Sequence, residues 1–452
     1  MDRRTFLRTT AVVTGSAALP ACGSTKAAAP AERAAEAEQQ SPPAPAVQPQ
    51  GHRRVRTGFE MLAAGGYALV RGQRVGLVSN PTGIVRDLRH EVDVAVSSGQ
   101  VDLVAAFGPE HGFRGSAPAG GSEGSFTDPR TGLPVYDTYG KGPVEIAGYF
   151  EEAGLDTVMF DIQDVGARFY TYIWTMYDTM VAASRAGVRF VVLDRPNPIT
   201  GREAYGPVLH PEYSTFVGRK PISQQHGMTV GELAGMFNEE FLPHDETANG
   251  RVDLAVSRVE GWRRDMFHDE TGLPWAMPSP NMPRLETAMV YPGTCLFEAT
   301  NLSEGRGTTR PFELIGAPYV DHRWADAMRD QDLTGVDFRE AYFVPTFSKH
   351  VNATCGGVQL HISDRDSFDP IRTAIAMIVT VRRLHPDKFA WRESGPPFWI
   401  DRLTGSDQVR KAIDRGASTD EVVAGWRRDL RDFRRLRERY LLYPGGRADG
   451  TA

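Results

Sequence analysis

At 452 residues the chain is long for one ordinary domain of about 100–200 residues, and its 41% hydrophobic, 24% charged and 10% aromatic composition excludes a collagen-like, coiled-coil or wholly disordered protein. Lysine and arginine number 51 against 57 aspartates and glutamates, a net charge of −6 with no strongly basic block in the folded region, which argues against nucleic acid and for a small or neutral ligand. Three cysteines, Cys22, Cys295 and Cys355, exclude a disulfide-dense scaffold and any zinc site of four cysteines.

The chain opens Asp2-Arg3-Arg4-Thr5-Phe6-Leu7, and its paired arginines resemble a twin-arginine export signal. The weakly apolar run over 11–19 is far shorter than the ~20 residues of a membrane-spanning helix, so it reads as a signal core. Leu19-Pro20-Ala21-Cys22-Gly23 resembles a lipobox in which Cys22 carries lipid and becomes the mature N-terminus; ordinary signal-peptidase cleavage nearby is the alternative. Either reading predicts export, the first with the lipid as the only membrane contact. Residues 1–22 are thus read as a signal and 23–55 as a linker, since an Ala-, Pro-, Gln- and Glu-rich run with few large apolar side chains cannot offset its ordering entropy. An oxidising compartment permits, without requiring, a Cys295–Cys355 disulfide.

From Arg74 short apolar runs at 75–79, 103–107, 157–161 and 190–193 read as buried parallel strands. Amphipathic segments at 87–97, 144–153 and 172–186 lie between them, the last two closed by Gly154 and Gly187. A helix over 230–241 and a strand near 252–257 extend this β-α-β-α pattern, and prolines cluster over 278–292. The expectation is an α/β fold: a Rossmann-like parallel-sheet domain over 56–285, a smaller α+β domain over 286–443 and a tail over 444–452. The second domain carries a predicted strand at 356–362 and helices near 370–384 and 419–440.

Each predicted strand runs into a polar loop: Asn80-Pro81-Thr82-Gly83, Gly108-Pro109-Glu110-His111-Gly112, Asp161-Ile162-Gln163-Asp164-Val165-Gly166-Ala167-Arg168 and Asp194-Arg195-Pro196-Asn197-Pro198. Ligands of open α/β sheets bind outside the carboxyl ends of the strands, so these loops are expected to converge on one crevice. No dinucleotide fingerprint, P-loop or nucleophile elbow occurs, and no cofactor is expected.

Glu110, directly after a buried strand, has the profile of a general acid, against the alternative of a helix-capping carboxylate or a partner for Arg114. His111 is either a ligand contact or a loop-orienting hydrogen-bonding group, and no His-x-x-x-His spacing surrounds it, so no metal is expected. Asp161 reads as structural and Asp164 as the better second acid. Tyr170 and Tyr172 are either sugar-stacking rings or core. Arg195 is read as a partner of Asp194, and Asn197 offers both donor and acceptor to hydroxyls. Further along, Asn281 lies in Ser279-Pro280-Asn281-Met282-Pro283, and Glu304 and Arg306 lie in Glu304-Gly305-Arg306-Gly307-Thr308. There Arg306 is either a fork for a ligand carboxylate or the partner of Glu304 in a surface turn.

Taken together over roughly 59–443, these motifs resemble a bacterial family associated with exo-β-N-acetylmuramidase activity. The resemblance implies a Rossmann-like catalytic domain with a smaller C-terminal domain, release of N-acetylmuramic acid from the non-reducing end of peptidoglycan fragments, and Glu110 as the catalytic acid. Asn80, His111, Arg168, Tyr170, Asn197, Asn281, Glu304 and Arg306 are the expected substrate-binding residues, with Asp164 the expected second catalytic carboxylate. One departure is Gly108, where many members carry serine. Arg306, with Arg168 as alternative, is the expected reader of the lactyl carboxylate. Two functions of other classes use the same loops: a non-catalytic muropeptide- or sugar-binding lipoprotein, and a metal-dependent envelope esterase or amidase.

Overall fold

The computed structural model describes residues 54–445, so the export signal, Cys22 and residues 23–53 of the expected linker lie outside the described residues. The first sheet begins with β1 (Arg74–Ser79), β2 (Asp102–Gly108), β3 (Phe126–Thr127), β4 (Pro134–Asp137), β5 (Thr157–Asp161) and β6 (Arg189–Leu193). A separate hairpin, β7 (Tyr205–Val208) and β8 (Ser223–Gln225), precedes its last strand, β9 (Leu254–Ser257). The order is β3-β4-β2-β1-β5-β6-β9, parallel throughout except for β3 against β4. Strand progression therefore reverses between β1 and β5, the topological switch of a doubly wound sheet. Burial explains the composition of the strands: every residue of β5, Thr-Val-Met-Phe-Asp, is buried, as helices on both faces require.

The second sheet contains β10 (Leu314–Ala317), β11 (Val336–Phe343) and β12 (Cys355–Ile362), in the antiparallel order β10-β12-β11. Edge strand β11 buries Val336, Phe338 and Ala341 while exposing Asp337, Arg339 and Tyr342, the alternation of a one-sided sheet. One apolar cluster runs from Val78 and Phe160 through Tyr291 and Phe312 to Trp324, Ile378 and Phe433. Cys295 and Cys355 are buried and both free. No helix among the described residues is long and apolar enough to cross a membrane.

Several expected elements shift for local reasons. The helix expected at 87–97 is Glu91–Ser98: a bridge between Ile84 and His90 holds the preceding residues in a turn, and the His90 ring caps the helix by accepting from Val92 N–H. The long helix expected near 419–440 is broken into Thr419–Ala424 and Arg427–Arg437 around Gly425 and Trp426, where Trp426 leaves helical geometry. Val230–Met236 begins with a Thr229/Glu232 capping box and continues as a wider π turn over Phe237–Phe241, with Phe237 stacked on Trp174.

Beneath the crevice lies a polar cluster with almost no access to water. The Arg195 guanidinium donates to both Asp161 carboxylate oxygens, replacing the expected Arg195–Asp194 pair. The Ser79 hydroxyl lies 2.6 Å from Glu91 Oε1 and 3.0 Å from the Asp161 carbonyl. Burial foremost, then the neighbouring Asp161 charge, pushes the Glu91 carboxyl well above the usual range. Burial and the Asp161 charge thus favour the protonated form of Glu91 beside the Asp161–Arg195 pair.

Asp194 instead anchors the end of the chain. It accepts from Arg195 N–H (2.9 Å), Gly231 N–H (2.8 Å), the Thr229 hydroxyl (2.8 Å) and the Tyr443 hydroxyl. Nearby, Glu232 pairs with Arg264 and accepts from Leu442 N–H at 2.7 Å.

Tyr443→Phe removes one donor from a buried carboxylate and should lower the unfolding free energy by about 1–3 kcal/mol in urea titrations. Glu91, raised in the native state, contributes stability that is full below the ordinary glutamate range and is lost as pH rises through the native value. Glu91→Gln should therefore flatten the decline in unfolding free energy measured from about pH 5 to about pH 9. An unchanged slope would mean that Glu91 ionises normally.

Candidate active site

The loops after β1, β5 and β6 are stitched together where the strand order reverses. Gln163 N–H donates to the Thr82 hydroxyl at 2.9 Å, and the Gln163 side chain donates to the Pro196 carbonyl at 3.0 Å. Asn80 is fully buried at the head of its loop, where its Oδ1 accepts from Thr82 N–H at 2.9 Å and from the Thr82 hydroxyl. The four polar loops do converge.

The loop after β2 carries Glu110 over this floor. Gly112 N–H closes a turn onto the Pro109 carbonyl at 2.9 Å, with His111 in the left-handed region at φ 73°. That conformation costs a histidine of order 1–3 kcal/mol and persists only where its surroundings enforce it. Here the ring does so: His111 Nδ1 lies 3.1 Å from the Ala117 carbonyl and 3.2 Å from that of Pro118, so His111 orients the loop. Gly108 has a local purpose as well, because a Cβ there would sit 2.8 Å from Phe113 N. Glu110 Oε1 accepts from Gly120 N–H at 2.8 Å, and Oε2 lies 3.4 Å from the Thr171 hydroxyl. Its carboxylate is half-buried at the crevice edge.

Behind Glu110 stands a file of aromatic rings. The Tyr172 hydroxyl donates to the Pro278 carbonyl at 2.7 Å and lies 3.5 Å from the Glu110 carbonyl. Tyr172 meets Tyr170 at 5.3 Å between centroids, Tyr170 meets Tyr291 at 5.6 Å, and Tyr291 meets Phe312 at 4.7 Å, all edge to face. Burial foremost, then Tyr172, Asp164 and Glu110, pushes the Tyr170 phenol well above its ordinary range, with Ser279 acting the other way. Both tyrosines are core rather than open stacking surfaces.

Asp164 sits under this layer, only 4% exposed. Its Oδ2 accepts from Gly166 N–H at 2.6 Å and lies 3.1 Å from His226 Nε2. Met228 N–H donates to His226 Nδ1, so the ring proton resides on Nε2 and points at Asp164. His226, which no local motif marks, is thus a residue the sequence did not suggest. Asp164 Oδ1, Asn80 Nδ2 and the Tyr170 hydroxyl are buried with no hydrogen bond of ordinary geometry among the described residues.

Other expected contacts are spent elsewhere. Arg168 has no exposed surface, and its guanidinium donates to the carbonyls of Pro207, Ile222 and Leu403 at 2.7–2.9 Å. Burial lowers its pKa to about 9, and it is not placed to read a ligand carboxylate. Asn197 uses both ends of its amide, on Ile199 N–H and the Met228 carbonyl. Asn281 is buried in the turn that receives Tyr172.

Glu304 and Arg306 form part of another wall. Arg306 pairs with Glu298 at 2.6 Å and Glu304 at 3.3 Å, and Glu304 also pairs with Lys349 at 2.8 Å. They line a cavity of about 690 Å³ with Lys349, Trp391 and Arg392, none of which surrounds Glu110. Arg306 stacks over Phe312, the far end of the aromatic file. Two carboxylates already occupy this arginine, so the alternative of a Glu304–Arg306 pair describes it better than a free ligand fork. Among the described residues no three His, Cys, Asp or Glu side chains gather as a metal ligand set.

The sequence matches the family described as exo-beta-N-acetylmuramidase NamZ, its N-terminal part over residues 75–286 and its C-terminal part over 289–443. The peptidoglycan beta-N-acetylmuramidase NamZ of Bacillus subtilis (strain 168) is 44% identical over 391 residues, covering 86% of this chain and 92% of that protein. Two crystal structures of DUF1343 family proteins from Bacteroides fragilis superpose with TM-scores of 0.79 and 0.68. They are 34% and 32% identical, cover 86% and 87% of this chain, and are themselves 99% covered. With both halves of the sequence matched and the doubly wound fold shared with these structures, the chain belongs to the exo-β-N-acetylmuramidase family.

Proposed function

We propose that the protein is an exo-acting glycoside hydrolase that releases N-acetylmuramic acid from the non-reducing end of peptidoglycan fragments, with Glu110 as the acid that protonates the leaving oxygen. The observation that carries this assignment is the family match over both halves of the chain, with Glu110 on the loop after β2. Glu110 keeps accessible surface at the crevice edge, whereas Asp164 is buried beneath it. A sheet of this order gathers ligands at that edge, and Gly120 N–H and the Thr171 hydroxyl hold the Glu110 carboxyl there.

The burial of Asp164 also bears on the route. Retaining and inverting enzymes ordinarily use two carboxyl groups, about 5–5.5 Å or 6.5–9.5 Å apart, both in contact with the reacting centre or its water. Asp164 is 4% exposed and already bonded to Gly166 N–H and His226, which favours substrate assistance. In that route the 2-acetamido oxygen attacks the anomeric carbon as the glycosidic C–O bond breaks, and the Glu110 proton passes to the departing oxygen. Water then opens the cyclic intermediate and returns a proton to Glu110. The Asp164 anion, held by Gly166 N–H and His226, supplies fixed negative charge below the crevice.

Export and anchoring complete the reading. The paired arginines and the Leu19–Cys22 segment support passage across the membrane and lipidation at Cys22, which would hold the enzyme at the envelope beside its substrate.

Glu110→Gln should lower kcat on a muramyl disaccharide by about 10²–10⁴-fold with little change in thermal stability. An unaltered kcat would remove Glu110 from the reaction. Replacing the acetamido methyl of the substrate by trifluoromethyl should slow the wild-type enzyme at least tenfold if the amide oxygen is the nucleophile, a rough expectation for a weakened nucleophile. Equal rates would return the search to a second carboxylate.

A further inference from the structure

Beside Glu110 the structure places an aromatic pair that neither the motifs nor the chemistry above uses. Strands β2 and β4 run parallel, with Gly108 registered against Asp137. Thr138 ties the two ends together, its N–H and its hydroxyl each 2.9 Å from the Gly108 carbonyl. Tyr139 therefore leaves its strand alongside Pro109 and Glu110. From a different part of the chain, the loop between β7 and β8 brings Phe216 onto Tyr139, with ring centroids 6.1 Å apart and planes at 73°. That loop is pinned by a bridge between Thr215 and Gly218. Phe216 is nevertheless 45% exposed, unlike the aromatic rings behind Glu110, which are buried. Besides burial, the Glu110 charge raises the Tyr139 phenol, consistent with the two groups being neighbours.

An exposed ring packed edge to face on a second ring, next to an acid that protonates a leaving oxygen, presents a flat apolar face where a leaving group would emerge. Sugar rings offer a complementary face of C–H groups, and large rigid aromatics provide such contact area at low entropic cost. We propose that Phe216, supported by Tyr139, forms the binding platform for the leaving sugar, the ring on the reducing-end side of the cleaved bond. The inference rests on the hydrolase reading above and adds a subsite to it. An exo-acting enzyme encloses the terminal residue it removes and leaves the remainder of the glycan facing solvent, which matches the exposure of Phe216.

The test compares two donors that share the muramyl group: a muramyl disaccharide, whose leaving group is a sugar, and muramyl fluoride, whose leaving group has no ring. Turnover of both by the unaltered protein establishes the hydrolase reading separately. Phe216→Ala should then raise KM for the disaccharide roughly 2–10-fold, as expected for one lost aromatic contact, and leave the kinetics of the fluoride unchanged. Phe216→Trp should restore the disaccharide KM, and thermal melts of both variants should match the parent. Equal effects on the two donors, or none on either, would overturn the platform and leave Phe216 as packing for its loop.

Discussion

The buried ion pair between Asp161 and Arg195 is the constraint on which the rest of the site depends. Asp161 ends β5 and Arg195 lies two residues beyond the end of the neighbouring parallel strand β6, and both are buried. Removing one partner from such a pair costs about 3–5 kcal/mol, because the other charge is left uncompensated. Ser79 and Glu91 extend the pairing to β1 and to the helix that follows it. The carboxyl ends of three strands are thereby locked together through side chains. The loops above inherit that rigidity, seen in the Gln163 bonds to Thr82 and Pro196.

Most polar side chains that the sequence offers for ligand binding turn out to build this support. Arg168 braces the β7–β8 hairpin and the Leu403 carbonyl, Asn197 braces its own loop, and His111 holds the turn that carries Glu110. The Glu110 carboxyl is then left partly open to solvent, carried on a strained turn over a floor of buried charge. A site built this way spends many residues on position and few on contact. That is the economy expected when an acid must meet a glycosidic oxygen to within a fraction of an ångström.

How much of this was legible in the sequence follows from the range of the interactions. The parallel strands were, because burial on both faces writes continuous apolar runs; 157–161 and 172–186 fall where periodicity and the Gly187 cap place them. The convergence of the loops followed from the sheet alone. By contrast β3, β4 and the β7–β8 hairpin are short and rich in proline or polar residues, and only their pairing partners make them strands. Residue roles were harder still. Whether Asp194 or Asp161 takes Arg195, whether Arg168 faces a ligand or a carbonyl, and whether any histidine reaches Asp164 depend on groups tens to hundreds of residues away. His226 and Asp164 are 62 positions apart, and no local pattern joins them.

The tether at Asp194 has a consequence for how the chain is made. Its fourth donor, Tyr443, lies 249 residues downstream, and Arg437 donates to the Gly227 and Arg202 carbonyls across a similar interval. A ribosome that has released the whole parallel sheet has therefore not yet released the groups that satisfy its deepest polar atoms. Until residues near 437–443 are present, these buried acceptors lack the donors they have in the native fold. Truncation ahead of Tyr443 would therefore remove donors from the first sheet as well as from the segment deleted.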